Sequence, residues 1–222
     1  MIGALLFDMD GLIVDTEPIQ FLAFREFLRE HGHELPESVM SGFVGYHEMD
    51  NMRDLKEKYR LPGDLEQLVA RRRELYVELI ETEPLSVFPG FWELTGEAKR
   101  RGLKQAVVSS STRPQVEIPL RRVFRESGVA PDAKQYFDDI ITGDDVAASK
   151  PDPEPYRLAA QRLGVPTDRC LAFEDTPPGV ASAAAAGVIV YAVPNSYTRH
   201  LEFPGARGAL TTLRDAIPLL DS

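Results

Sequence analysis

A repeated alternation of helix, glycine and short apolar strand constrains the fold of this chain more than any other feature. Helical sequence over 93–101 ends at Gly102 and is followed by strand-like 104–109, and the same order recurs around Gly164 and Gly187. Glycine after a helix is the usual left-handed cap, and alternating helices and strands favour a parallel sheet with crossover helices. The sequence therefore predicts an α/β protein with a parallel sheet.

The segment after residue 15 is different in kind, because helix-like stretches follow one another there without a convincing strand between them. These stretches are 17–31, 47–59 and 65–81. We expect a helical insertion over 16–85 in a core formed by 1–15 and 86–222. The remaining predicted strands of the core are 2–7, 139–142, 170–173, 188–193 and 209–211, and its remaining helices begin at Pro114 or span 154–163, 178–186 and 213–220.

Composition excludes several classes of protein. The 222 residues carry a formal charge of −10, which disfavours nucleic acids and anionic membranes as partners because both bind basic surfaces. Cys170 is the single cysteine, so an internal disulfide is excluded and a reducing compartment is expected. The N-terminal residues lack the form of a signal peptide. We expect a cytoplasmic globular protein, a monomer or a weak homodimer.

Two aspartates directly follow the first predicted strand, in Asp8-Met9-Asp10-Gly11. Carboxylates this close repel each other and are costly to bury, and a divalent cation with a preference for oxygen ligands, such as magnesium, relieves that repulsion. An aspartate can also attack phosphorus as a nucleophile while a second acid transfers protons. Taken alone, the pair fits a solvated turn or a helix cap equally well.

A run of serines follows the strand that ends near Val108, just before the helix that begins at Pro114. The hydroxyl and backbone N–H groups of Ser109 and Ser110 are suited to bind phosphate, and Arg113 adds a donor of the kind that phosphate prefers. A helix cap is the alternative interpretation of the same residues.

Two further polar segments follow predicted strands. Lys150 lies in a loop stiffened by Pro151 and Pro153, where a lysine can neutralise a transferring phosphoryl group. Glu174 and Asp175 end a later strand and supply more oxygen ligands for magnesium. A solvated lysine and a capping aspartate are the simpler alternatives. Because ligands of open α/β sheets bind beyond the carboxyl ends of the strands, the segments together indicate one reaction centre.

These residues resemble the haloacid dehalogenase superfamily of aspartate-nucleophile phosphohydrolases over essentially the whole chain. The most specific matches are Phe-Asp-x-Asp-Gly-x-x-x-Asp-Thr-Glu at 7–17, Lys-Pro-Asp-Pro at 150–153 and Phe-Glu-Asp-Thr-Pro-x-Gly at 173–179. They are similar to the subgroup with a helical cap inserted after the first strand, which includes beta-phosphoglucomutase and many small-metabolite phosphatases. The resemblance implies a Rossmann-like core with an all-α cap.

The resemblance also implies a role for each matching residue. Asp8 is expected to be the nucleophile and Asp10 the general acid and base. Ser109 is expected to bind the phosphoryl oxygens, and Lys150 to balance the negative charge of Asp8 and the phosphoryl group. The magnesium ligands are expected to be Asp8, the backbone carbonyl of Asp10, Asp175 and, directly or through water, Glu174.

In this family the cap closes over the substrate and excludes water, so cap residues are expected to choose the leaving group. The expected substrate-binding residues of the cap are Gln20, Gly45 and His47. Glu48 lies where the mutase carries a phosphate-gripping arginine, and we expect it to repel a second phosphate. Residues 71–73, three arginines on one helix, are expected to form a largely solvated face because neighbouring helical residues point in different directions.

The sequence thus predicts a magnesium-dependent phosphatase that hydrolyses a small phosphorylated metabolite, such as a sugar or polyol phosphate, through an aspartyl-phosphate. A sugar phosphomutase and a catalytically silent binding protein on this fold are the alternatives. The presence of Asp10 disfavours a dehalogenase, and the first cap helix lacks the lysine that a phosphonate hydrolase needs. The expected partner is the small phosphorylated metabolite, with no nucleic acid and no membrane.

Overall fold

The computed structural model of this chain describes residues 1–43, 48–130 and 132–221. The chain divides into two compact units, one formed by Met1–Asp15 together with Leu85–Ser222 and the other by Thr16–Pro84. The second unit is therefore inserted into the first between Asp15 and Leu85. Each unit is described by itself below.

The first unit is built on a five-stranded parallel sheet in the order β3-β2-β1-β4-β5. Strands β1 to β5 are Ala4–Phe7, Lys104–Val108, Asp139–Ile141, Cys170–Glu174 and Ile189–Ala192. Phe7 at the end of β1 pairs with Val107 of β2 and with Phe173 of β4. The carboxyl ends of the three central strands therefore lie side by side. The predicted α/β fold with a parallel sheet is confirmed.

The regular secondary structure of the second unit is helical in its described residues. Helices α1 to α3 are Glu17–Glu30, Glu48–Tyr59 and Leu65–Ile80, and a 3-10 helix spans Glu37–Gly42. Helix α1 packs against α3 through an apolar face that includes Phe24 and Phe27. The 3-10 helix lies outside the sequence prediction because a segment this short carries no periodic pattern.

Arg72 corrects the expectation of a solvated arginine face on α3. Its side chain is only 1% exposed, whereas those of Arg71 and Arg73 are both 37% exposed. The guanidinium of Arg72 lies over the ring of Phe24 at 4.3 Å from the centroid. Arg72 shares a face with buried Leu68 and Tyr76, which are four residues away on either side and therefore point the same way on a helix. Arg71 and Arg73 are partly exposed and ion-paired, so they match the expectation only in part.

Helices α4 to α8 belong to the first unit and cover both faces of the sheet. They are Phe91–Arg100, Arg113–Ser127, Ala133–Tyr136, Glu154–Leu163 and Pro177–Ala185. Leu5 and Phe7 of β1 enter one apolar core, and Ala4 and Leu6 enter the other, because successive strand residues face opposite sides. In the described part of the chain, the helices are all too short or too polar to cross a membrane.

The C-terminal segment differs from the sequence prediction in two respects. The predicted strand over 209–211 is reduced to one bridge between Ala209 and Ala192. The predicted helix over 213–220 is a 3-10 helix, Leu213–Asp221, that contains Pro218. Proline lacks the N–H that an α-helical hydrogen bond requires and its ring clashes with the preceding turn, which accounts for the second difference.

Candidate active site

Polar side chains follow the carboxyl ends of neighbouring strands. The chain leaves β1 at Asp8, whose N–H donates to the carbonyl of Phe173 in β4 at 3.1 Å, and leaves β2 at Ser109, whose N–H donates to the carbonyl of Ile141 in β3 at 3.0 Å. Strand β4 itself ends at Glu174. The parallel register therefore collects these residues at one edge of the sheet, where ligands of open α/β sheets bind.

Asp8, Glu174 and Asp175 form an acidic cluster at this edge. Each offers a carboxylate oxygen within 4.8 Å of the others, and all three residues are buried. The Nζ atom of Lys150 lies 2.5 Å from Oδ1 of Asp8 and 2.6 Å from Oε1 of Glu174, and it donates to the carbonyl of Val108 at 2.8 Å. One lysine therefore joins two of the three carboxylates.

Burial and neighbouring charges act in opposite directions on the lysine and the glutamate of this cluster. Burial lowers the pKa of Lys150, but the carboxylates of Asp8 and Glu174 outweigh it and raise that pKa above its ordinary value. Burial raises the pKa of Glu174, and the charge of Lys150 opposes the rise. Lys150 is therefore charged at neutral pH, and a fixed cation in a buried site is suited to stabilise an incoming phosphoryl group.

The carboxylate of Asp10 is oriented by hydroxyl groups of the serine run. Its Oδ2 accepts from Oγ of Ser111 at 2.9 Å and from Oγ of Ser109 at 3.3 Å. The N–H of Ser111 donates to Oγ of Ser109 at 3.0 Å, which fixes the two hydroxyls relative to each other. The structure thus brings Ser109 into contact with Asp10. It also brings Ser111 into contact with Asp10, and the sequence analysis gave Ser111 no role of its own.

Ser110 and Arg113 have a different environment from Ser109. The guanidinium of Arg113 donates to Oε1 of Glu117 at 3.0 Å and to Oδ2 of Asp145 at 2.5 Å. Among the hydrogen bonds and ion pairs of residues 1–43, 48–130 and 132–221, none joins Ser110 or Arg113 to the acidic cluster. The partners of Arg113 lie on other segments or one helical turn away, so the short sequence motif does not reveal them.

In the second unit, two polar residues of interest are bound to arginines of α3. The backbone carbonyl and Oε1 of Gln20 accept from Nη2 of Arg72 at 2.6 and 2.5 Å. Glu48 accepts from Nη1 of Arg72 at 3.4 Å and from Nε of Arg73 at 2.6 Å. Two arginines therefore offset part of the charge of Glu48, and its expected repulsion of a second phosphate stays a prediction. Gly45 and His47 lie outside the described residues.

Tyr156 belongs to the site although the sequence motifs did not indicate it. Its hydroxyl donates to Oε1 of Glu174, and its ring centroid lies 5.3 Å from Nζ of Lys150. Tyr156 is fully buried on α7, six residues after Lys150. A buried tyrosine needs a hydrogen-bond partner for its hydroxyl. The partner here, Glu174, lies on a different element, so the sequence around Tyr156 does not reveal its role.

Tyr156→Phe is expected to lower the free energy of unfolding by about 1.5–3 kcal/mol, the usual contribution of a hydrogen bond to a charged group. Urea denaturation followed by circular dichroism measures the change. Tyr191→Phe is the matched control, because the hydroxyl of Tyr191 makes no hydrogen bond with any residue in the described ranges. Equal losses of stability in the two variants would contradict the assigned role of the Tyr156 hydroxyl.

Two glycines allow the backbone to approach the carboxylates closely. Gly11 has a φ of +77°, a left-handed conformation that glycine adopts without strain. A Cβ atom at Gly11 would overlap Oδ2 of Asp175, and one at Gly179 would overlap the carboxylate of Glu174. The glycines of the first and last motifs are therefore required by the packing of the acids.

The acidic cluster fits a divalent cation. Three buried carboxylates carry more negative charge than Lys150 offsets, and uncompensated buried charge is unfavourable. Oε2 of Glu174 is buried and accepts no hydrogen bond from the residues that the structure describes. Because all the donor atoms are oxygens, the cluster suits a hard cation of the magnesium type.

The fold and the site together define the class of this protein. A family model described as haloacid dehalogenase-like hydrolase matches residues 2–187, a range that contains the acidic cluster, the serine run and Lys150. The chain therefore belongs to the haloacid dehalogenase-like hydrolase family. The resemblance recognised from its sequence motifs is confirmed.

Individual relatives share most of their length with this chain. It is 34% identical over 209 residues to the protein CbbY of Rhodobacter capsulatus, with 91% of this chain and 90% of that protein covered. It is 32% identical over 185 residues to a phosphorylated carbohydrates phosphatase of Thermotoga maritima, with 83% and 82% covered. A crystal structure of a CbbY mutant from Rhodobacter sphaeroides in complex with xylulose-(1,5)bisphosphate has a TM-score of 0.82 and 31% identity, and the match covers 97% of this chain and 96% of that one.

Proposed function

We propose that this hydrolase is a magnesium-dependent phosphatase of a small phosphorylated carbohydrate, with Asp8 as the nucleophile. The observation that carries the proposal is the position of Asp8, which is held by Lys150 inside an acidic cluster while Asp10 follows two residues later. A silent binding protein would have no need for this combination of buried acids and one lysine. The phosphatase among the relatives supports the same reaction.

The reaction begins with attack of an Asp8 carboxylate oxygen on the phosphorus of the substrate. A bond forms between that oxygen and phosphorus while the bond from phosphorus to the leaving alkoxide breaks, which gives an aspartyl-phosphate. Lys150 offsets negative charge on Asp8 and on the phosphoryl group as they meet. When substrate binds, the hydroxyl of Ser109 turns from Asp10 and donates its one hydrogen bond to a phosphoryl oxygen.

Asp10 transfers the protons of both steps. In the first step its carboxylic acid protonates the leaving alkoxide, and in the second its carboxylate takes a proton from the water that attacks phosphorus. The second attack releases phosphate and restores Asp8. The hydrogen bond from Ser111 holds the Asp10 carboxylate in one orientation for both transfers.

Magnesium would be held by Asp8, the backbone carbonyl of Asp10 and Asp175, with Glu174 as a direct or water-mediated ligand. When bound, magnesium supplies positive charge that offsets the phosphoryl oxygens. The first acid of the pair at the end of β4, Glu174, also keeps Lys150 in place through its Oε1 atom. The acid pair at the end of β4 therefore serves both the metal and the lysine.

The substrate class is a sugar or polyol phosphate. Support comes from two relatives, one named for phosphorylated carbohydrates and one crystallised with a sugar bisphosphate. Because Arg72 and Arg73 offset part of the charge of Glu48, a sugar bisphosphate is tested beside the monophosphates. Substrate contacts by Gln20, Gly45 and His47 are part of the proposal.

A phosphate-release screen tests the substrate class. Sugar monophosphates, a pentulose bisphosphate, polyol phosphates, glycolate phosphate and nucleotides are compared by kcat/KM, and we expect the highest values among the sugar and polyol phosphates. The highest value for a nucleotide or for glycolate phosphate would contradict the class. Interconversion of sugar 1- and 6-phosphates, followed by phosphorus NMR, would indicate a mutase and is not expected.

Removal of magnesium is expected to reduce phosphate release to background, because the three acids of the cluster then repel the phosphoryl group. The protein is dialysed against a chelator and assayed before and after magnesium is returned. Restored release on addition of magnesium is the predicted result. An undiminished rate in the presence of the chelator would contradict the metal requirement.

The proposal extends to a cytoplasmic monomer or weak homodimer. The formal charge of −10 and the buried, unpaired thiol of Cys170 support it. Within the described residues, the exposed large hydrophobic side chains are Met1 and Val129, which is too few to form an apolar interface.

A further inference from the structure

Asn195 is a buried polar residue that the mechanism above does not use. It lies just beyond β5 and is 8% exposed. Its Nδ2 atom donates to the carbonyl oxygen of Gly11 and to Oδ2 of Asp175, both at 2.9 Å. A single amide group therefore connects the loop after Asp10 with the acid pair at the end of β4.

The orientation of the Asn195 amide follows from the chemistry of its partners. Its Oδ1 accepts from the backbone N–H groups of Tyr197 at 2.8 Å and Thr198 at 3.2 Å, and these groups can only donate. Its Nδ2 faces a carbonyl and a carboxylate, which can only accept. The hydroxyl of Thr198 closes the same turn by accepting from the N–H of Asn195 at 3.1 Å. The turn thus directs both amide hydrogens toward Gly11 and Asp175.

Gly11 is held by both of its backbone groups. Its N–H donates to the carbonyl of Val14 at 3.0 Å, and its carbonyl accepts from Asn195. The N–H of Gly11 belongs to the same peptide group as the carbonyl of Asp10, which is the backbone ligand of the proposed magnesium site. A change at Asn195 therefore acts directly on the carboxylate of Asp175 and, through Gly11, on that peptide.

We propose that Asn195 is a positioning residue for the metal, an inference that rests on the proposed function. It holds the carboxylate of Asp175 and the carbonyl of Gly11, the residue next to Asp10, at a fixed separation and orientation. Because the amide is neutral, it orients Asp175 without offsetting the negative charge that a cation requires. Magnesium demands nearly octahedral geometry with short ligand distances, so small displacements of these two groups weaken its binding.

Calorimetric titration of Mg²⁺ into Asn195→Ser and Asn195→Ala tests the proposal. Serine can still accept backbone N–H groups in the turn, but it lacks the two donors that reach Gly11 and Asp175. We expect the Kd for Mg²⁺ to rise about 10- to 100-fold in both variants, as for other residues that orient metal ligands. We also expect kcat to recover at saturating Mg²⁺ with an unchanged KM for the phosphoester.

Thr95→Val is the matched control for a general loss of stability. Thr95 is fully buried, and its hydroxyl bonds to the carbonyl of Phe91 and to the hydroxyl of Tyr136, each at 2.8 Å. We expect this variant to be less stable to urea and to bind Mg²⁺ with the Kd of the original chain. If Asn195→Ala does not fold, the Kd of Asn195→Ser tests the proposal, because its hydroxyl oxygen can still accept the backbone N–H groups of the turn.

The outcomes separate this inference from the proposed function. An unchanged Kd for Mg²⁺ in folded Asn195→Ser, or an equal rise in Thr95→Val, would overturn the role of Asn195 alone. An original chain that takes up no Mg²⁺ in the same titration would contradict the proposed magnesium dependence itself. A rise in Kd confined to the Asn195 variants supports both.

Discussion

Asp8→Asn is expected to lower the turnover of phosphoesters by about 10⁴-fold or more, the scale seen when an enzyme loses its nucleophile. Asparagine has the volume of aspartate and can still contact Lys150, but its amide does not attack phosphorus. The variant is therefore expected to fold normally while phosphate release falls to the level of a blank. Steady-state assays with the best substrate of the screen measure the effect.

Asp168→Asn provides the control for the loss of one negative charge, since Asp168 is exposed at the opposite end of β4. It is expected to retain the original activity. Beryllium fluoride, which mimics an aspartyl-phosphate, is expected to form a stable complex with the original chain and not with Asp8→Asn. Robust turnover by Asp8→Asn would exclude the nucleophilic mechanism.

Asp10→Asn is expected to lower turnover by about 10²- to 10⁴-fold, the usual contribution of general acid and base catalysis. Asparagine keeps the backbone carbonyl that is proposed to bind magnesium, but it cannot transfer a proton. The Kd for Mg²⁺ measured by calorimetry is therefore expected to stay unchanged while kcat falls.

Ser111→Ala separates proton transfer from orientation. It removes the shorter of the two hydrogen bonds that hold Oδ2 of Asp10 and leaves the carboxylic acid in place, so a smaller loss than that of Asp10→Asn is expected. Turnover by Asp10→Asn at the original rate would remove Asp10 from the proton-transfer role, whatever the result for Ser111→Ala.

The sequence predicted the sheet well because its strands carry strong local signals. Helix, glycine and apolar strand alternate from residue 93 onward, and each predicted strand over 104–109, 170–173 and 188–193 matches a strand of the structure within about two residues, the usual uncertainty of such bounds. Two C-terminal segments differ from the prediction. The predicted strand over 209–211 has a single bridge at Ala209, and the predicted helix over 213–220 is a 3-10 helix that contains a proline. Such details depend on tertiary contacts rather than on pattern.

The main residues of the candidate site could also be predicted from the sequence, because they lie at or directly after the ends of strands. Asp8, Ser109 and Glu174 follow or end parallel strands whose order brings them together. Their separation along the chain is large, and only the sheet topology makes them neighbours. Lys150 belongs to a loop, and its place beside Asp8 was inferred from the family resemblance rather than from strand position. Its contact with Glu174 was not predicted.

Other features could not be read from the sequence because they depend on side-chain partners from distant segments. Asn195 donates to Asp175 and Tyr156 donates to Glu174. Neither donor lies in a recognisable sequence motif. Arg72 is different, because a helical signal for its burial was present in its spacing from Leu68 and Tyr76. The prediction used only the different directions of the three adjacent arginines and not that spacing. In the structure, the ring of Phe24 and the acceptors of Gln20 satisfy the buried guanidinium.

Chemical trapping of the aspartyl-phosphate tests the central claim most directly. Asp10→Asn is incubated with magnesium and substrate, so that the phosphorylated enzyme accumulates, and is then treated with borohydride, which reduces an acyl phosphate to an alcohol. Peptide mass spectrometry is predicted to find homoserine at position 8, and to find it only when substrate is present. Release of the leaving group without homoserine at position 8, or with the reduced residue at another acid, would contradict the assignment of Asp8 as the nucleophile.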